Sequence, residues 1–129
     1  MSNSVVLDAS ALLALVQEER GAEKLKPLIR KAVMSTVNVA ESLTALQRIN
    51  IPSNEASLLI NEIVADVIPF DMEQALYVAD LYPQVKHKGL SLGDRTCIAL
   101  GMKLKAPIYT ADNAWTDLNL NGVDIRLIR

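Results

Sequence analysis

Short apolar, β-branched runs alternate along this chain with longer stretches of helical period, and that rhythm constrains the fold more than any other feature. The runs are Val5-Val6-Leu7, Val33-Met34, Val67-Ile68, Pro107-Ile108-Tyr109-Thr110 and residues 123–128, short enough and branched enough to read as strands. Between them the periodicity predicts helices over 10–19, 21–30, 37–48, 54–64, 72–81 and 91–105. Ser53 and Asp71 supply start signals and Ala106-Pro107 a stop. Strands and helices in this order imply an α/β fold, a mostly parallel sheet covered on both faces. No repeat, low-complexity tract or Gly/Ser linker divides the chain, so one domain over 1–129 is expected. In such folds ligands sit outside the carboxyl ends of the strands.

Half of the 129 residues are apolar, enough for a core without covalent staples. The lone cysteine, Cys97, excludes a disulfide framework, and its Thr96-Cys97-Ile98-Ala99-Leu100 setting predicts a buried helix face. Met1-Ser2-Asn3-Ser4 has no secretion-signal character and no apolar run is long enough to span a bilayer, so a cytoplasmic, non-membrane protein is expected. A net charge of −2 gives no support for binding a polyanion. The objection weakens if four of the 15 acids hold metal, because the 11 left face 13 Lys and Arg, a remainder of +2.

Four acids stand where chemistry is expected. Asp8 leaves the strand Val5-Val6-Leu7 among apolar neighbours, where a carboxylate is costly unless something positive meets it; a helix N-cap is the competing explanation. Asp112 repeats the arrangement after Ile108-Tyr109-Thr110, with an ordinary turn aspartate as its alternative. Glu41, in Asn38-Val39-Ala40-Glu41, and Asp94, in Ser91-Leu92-Gly93-Asp94, both match capping-box spacing near a helix start. A doubly wound sheet brings all four positions to one rim. Two carboxylates about 4 Å apart repel by about 4 kcal/mol at an effective dielectric near 20, a penalty that divalent cations remove. Oxygen ligands without His or Cys suit Mg²⁺ or Mn²⁺. Ser10 and Thr110 are placed to orient a carboxylate or a water, and Arg95 to hold a phosphate or shield the acids. His87 reads as a solvated loop residue and Trp115 as core.

These segments resemble the PIN-domain ribonucleases, and among them the VapC-like toxins of toxin-antitoxin modules. The carriers are Val6 to Leu15, Asn38-Val39-Ala40-Glu41, Leu90 to Arg95 with the following Cys97-Ile98-Ala99-Leu100, and Tyr109 to Trp115. The resemblance covers essentially the whole chain. It implies a PIN-like α/β/α sandwich and a metal-dependent endoribonuclease in which Asp8, Glu41, Asp94 and Asp112 form the acidic quartet holding Mg²⁺ or Mn²⁺, with Ser10 and Thr110 beside it. Some relatives place the last acid a few residues later, which makes Asp117 a substitute for Asp112. The resemblance further implies a homodimer, a VapB-like antitoxin that blocks the site, and an RNA substrate, with transfer RNA favoured by analogy alone. Two other readings stay open, a catalytically silent PIN scaffold and a receiver-like signalling module. The second fits less well, since Asp8 lacks a paired acid and Pro107-Ile108-Tyr109 offers no Lys of the kind such a module needs.

Overall fold

The computed structural model describes residues 3–129. Its sheet has five strands, all parallel: β1 (Val5–Leu7), β2 (Ala32–Ser35), β3 (Val64–Ile68), β4 (Ile108–Thr110) and β5 (Ile125–Leu127), in the order β3-β2-β1-β4-β5. Five helices accompany them: α1 (Ala9–Val16), α2 (Thr36–Arg48), α3 (Ser53–Ile63), α4 (Met72–Val85) and α5 (Leu92–Leu104). This is the expected α/β/α sandwich. Period-two alternation splits the core between the faces. Val5 and Leu7 pack with Leu12, Leu25, Met34 and Ile60 on one side, while Val6 and Val33 pack with Leu81, Val85, Ile98 and Trp115 on the other. No helix among the described residues is long and apolar enough to cross a membrane.

The sheet grows outward from β1 in both senses, first through β2 and β3, then through β4 and β5. The order therefore reverses between β1 and β4, and the loops leaving those neighbours part to open a crevice at their carboxyl ends. Register pairs Leu7 with Tyr109, so the next residues, Asp8 and Thr110, lie side by side there.

Several expected boundaries move. The helix expected over 21–30 is replaced by two 3₁₀ turns, Ala22–Lys24 and Lys26–Leu28. Gly21 enters at φ +97°, and Pro27 lacks the N–H a continuous helix needs. α4 runs past Leu81 to Val85 in spite of Pro83, whose exposed ring side leaves the buried face of Val78, Leu81 and Val85 intact. β3 begins at Val64, directly after α3, and the last strand is shorter than the 123–128 run.

Candidate active site

Asp8 is the N-cap of α1 and is also buried, with 5% of its surface exposed. Oδ1 accepts from the Ala11 amide at 2.8 Å and from Ser10 Oγ at 2.7 Å, and Oδ2 accepts from Thr110 Oγ1. Each hydroxyl is itself held by a backbone amide of the β4 exit: Ala111 N donates to Ser10 Oγ at 2.9 Å, and Asp112 N to Thr110 Oγ1 at 3.0 Å. The two hydroxyls thus pass polarisation from main-chain dipoles to both carboxylate oxygens and lock the rotamer of Asp8. The capping and functional readings of Asp8 are compatible, because one oxygen caps the helix while the group faces the switch point. Burial pushes its carboxyl from 3.8 up to about 6, against the hydrogen bonds from Thr110, Ala11 and Ser10, and the Asp94 charge adds to the rise.

Removing the relay should therefore be costly. Thr110→Val, at a fully buried position, takes away a donor to Asp8 and removes the acceptor of the part-buried Asp112 amide, for a loss of about 1–3 kcal/mol in stability and, for a group orienting a ligand, about 10- to 100-fold in metal affinity. Chemical denaturation and metal titration of the variant check both figures.

Asp94 is the third residue of α5 and completes a capping box: its Oδ2 accepts from Ser91 N at 3.0 Å while its own amide donates to Ser91 Oγ at 3.1 Å. The box leaves its other oxygen without a protein partner among the hydrogen bonds of the described residues. Glu41 is different from the capping expectation. α2 starts at Thr36 with Ser35 as its cap, so Glu41 lies beyond the first turn, and its Oε1 accepts from Asn38 Nδ2 at 2.8 Å. Its carboxylate rests on Gly93 of α5; a Cβ at Gly93 would come within 2.5 Å of Glu41 Cδ. Asp112 caps a short 3₁₀ turn, Asn113–Trp115, through a bond from Ala114 N at 2.9 Å, so its carboxylate is turned to its own loop as the turn alternative anticipated.

Electrostatics show what the fold brings together. The Cys97 thiol is held well above its usual range by burial first, and then by the charges of Asp8, Asp94 and Glu41. Three carboxylates from three elements are therefore near enough to Cys97 for their charges to bear on its thiol. Asp71, Glu73, Asp117, Asp124 and Glu19 each pair with a Lys or Arg, whereas no ion pair of the described residues involves Asp8, Glu41, Asp94 or Asp112. The acids nevertheless do not form a ready cage: among the described residues no three acidic, His or Cys groups stand close enough to ligate one ion directly. An all-oxygen set at this spacing fits a cation that retains several waters, as Mg²⁺ does, with one or two direct carboxylates.

One expectation changes. Arg95 turns from the acids; it donates to the Val78 carbonyl at 3.1 Å and lies over the Tyr82 ring, fastening α5 to α4. The backbone direction at that point of α5 places Asp94 and Arg95 on different faces, which adjacency in sequence does not reveal. Asp117, the substitute for Asp112, is exposed and engaged with Lys88 at 3.2 Å. His87 is exposed and Trp115 buried, as expected. Asn38 and Gly93 join the acids at this site; the Asn-x-x-Glu spacing, which puts both side chains on one helix face, is the sequence signal that points to the first. A surface cleft of about 620 Å³ between Tyr77, Lys105 and Asp124 flanks Pro107 at the amino end of β4, and none of Asp8, Glu41, Asp94 and Asp112 lines it.

Comparison with known proteins agrees with this fold. The PIN domain family model matches residues 5–119. Among solved structures, DNA-bound VapBC from Salmonella typhimurium superposes with a TM-score of 0.75 at 13% identity, covering 98% of each chain. VapC20 from Mycobacterium tuberculosis, described as a sarcin-ricin loop cleaving toxin, gives 0.72 at 19% identity over 94% of this chain and 99% of its own. A toxin-antitoxin complex from Klebsiella pneumoniae gives 0.71 at 15% identity, over 93% and 95%. Comparison with curated proteins gave no match.

Proposed function

The chain belongs to the PIN domain family, and from that premise we propose that it is a metal-dependent endoribonuclease acting as the toxin of a toxin-antitoxin module. The observation that carries the reading is the Asp8 carboxylate, buried, hydrogen-bonded by three donors, within reach of the Asp94 charge and paired with no Lys or Arg among the described residues. Asp8, Asp94 and Glu41 would hold Mg²⁺ or Mn²⁺, with Asp112 as the outermost acid of the set. Bound there, the ion supplies an acidified water and neutralises the charge that develops on the scissile phosphate.

The chain's own residues do the rest. Ser10 and Thr110 hold both Asp8 oxygens in place at the head of α1, and the Ser91 box holds Asp94 in the first turn of α5. No side chain at this rim has the setting of an activated nucleophile; Cys97 is buried and held protonated. The site is open to a polymer, since Glu41 is exposed and Asp94 and Asp112 half-buried. The family likeness extends the proposal to a homodimer, a VapB-like antitoxin that covers the acids, a cytoplasmic location, and RNA as substrate, with transfer RNA the first class to test.

Incubation of purified protein with RNA tests the centre. Chelation of divalent ions should stop cleavage, Mg²⁺ or Mn²⁺ should restore it, and Asp94→Asn should not respond to either. Cleavage by Asp94→Asn at the parent rate would overturn the assignment. New RNA ends on expression in cells, absent for the inactive variant and suppressed by co-expressed antitoxin, test the toxin role.

A further inference from the structure

We propose that Asn38 is a positioning residue whose side-chain amide clasps the Glu41 carboxylate onto α5 and so sets its distance from Asp94. The proposal rests on the metal-centre reading above and adds to it a residue that makes no contact with the ion. Asn38 is 1% exposed, so its polar atoms must find partners within the protein. Nδ2 donates to Glu41 Oε1 at 2.8 Å on its own helix and to the Gly93 carbonyl at 3.1 Å on α5.

Both partners are acceptors, which decides the orientation of the amide. Turned over, its oxygen would face a carboxylate and a carbonyl and gain nothing. In the orientation adopted, Oδ1 is buried without a partner, so the fold tolerates an unpaired acceptor to keep the two donors in place. A need for a helix cap does not explain the residue, because Ser35 caps α2. Packing does not explain it either, since an apolar side chain of the same volume would leave nothing unpaired.

What the clasp achieves follows from the neighbouring atoms. Glu41 is exposed and has three side-chain torsions, so an untethered carboxylate would spread into solvent. Held by Asn38, it rests on the bare Cα of Gly93, one residue before Asp94. The same amide group thus ties the Glu41 carboxylate of α2 to the turn of α5 that carries Asp94.

Titration of the metal-free protein with Mn²⁺ tests this, by calorimetry on the parent, Asn38→Leu, Glu41→Gln and the double variant. Asn38→Leu should weaken Mn²⁺ binding about tenfold or more, the scale for residues that orient ligands, with a melting temperature no lower than the parent's. Its kcat should fall while KM for RNA stays near the parent's. Because Asn38 acts through Glu41, adding Asn38→Leu to Glu41→Gln should cost no further affinity. Parent-like affinity in Asn38→Leu, or a full additive loss in the double variant, overturns the proposal while the metal centre stands. A parent that binds no Mn²⁺ overturns both. Should Asn38→Leu fail to fold, Asn38→Ala takes its place, and the Asn38 side-chain amide resonance in the folded parent should shift on Glu41→Gln; an unmoved resonance also overturns it.

Discussion

Asp8→Asn should abolish RNA cleavage and at the same time make the metal-free protein more stable at neutral pH. The loss of activity should reach about 100- to 1,000-fold or more, the scale for removing a preorganised charge from a reaction centre. The gain in stability follows from the sign of the pKa change. The Asp8 carboxyl is raised in the folded state from 3.8 to about 6, so the native protein prefers it protonated. Its contribution is most favourable below the unfolded value, declines as pH rises from about 4 to about 6, and stays constant above. A shift of that size is worth about 3 kcal/mol. The variant loses about 1–2 kcal/mol of this advantage because the amide cannot accept from Thr110 as the carboxylate does. A net gain of about 1–2 kcal/mol remains, a few degrees in Tm for a chain of this size. The Tm difference between variant and parent should therefore widen between pH 4 and 6 and then level off. Saturating Mn²⁺ should stabilise the parent and shrink the difference. A variant less stable than the parent at every pH would mean that Asp8 is a structural cap and little else.

Gly93→Ala should separate function from folding in the opposite place. The added Cβ would approach Glu41 Cδ at 2.5 Å and Oε1 at 2.6 Å, distances that cannot persist. The obstacle is the far end of a flexible side chain, so the carboxylate gives way and the backbone does not. Alanine also favours the helix by about 0.5–1 kcal/mol over glycine. Melting temperature should hold or rise slightly, while metal affinity and cleavage fall by about 100-fold, in the range for displaced ligands. A fully active Gly93→Ala would show that Glu41 is dispensable where it now rests.

The candidate site was legible in the chain to unequal degrees. Asp8 announced itself by cost, a carboxylate amid an apolar run, with one hydroxyl partner, Ser10, in the first turn of α1 and the other, Thr110, at the end of β4. Thr110, 102 residues away, became a donor to Asp8 because parallel register aligns Leu7 with Tyr109. Arg95 misled because sequence adjacency to Asp94 carries no information about direction around a helix. The turns over 21–30 misled because their apolar spacing is helical while Gly21 and Pro27 forbid the helix locally. The spacing of Asn38 to Glu41 is legible, but a buried amide gains its meaning from Gly93, 55 residues away.

Local patterning by itself determined the alternation of strands and helices, the two-faced core, the acids at strand ends and the capping box at Ser91. These depend on periods of two and about 3.6 residues and on short-range hydrogen bonds, all of which can be read within a few positions. Only the tertiary structure decided which strands are neighbours, which acids face one another and which turn aside. Strand order 3-2-1-4-5 put Asp8 beside Thr110, and the crossing of α2 with α5 put Glu41 on Gly93. Those contacts join residues far apart in the chain, and their geometry is set by how whole layers pack, a quantity that no single segment contains.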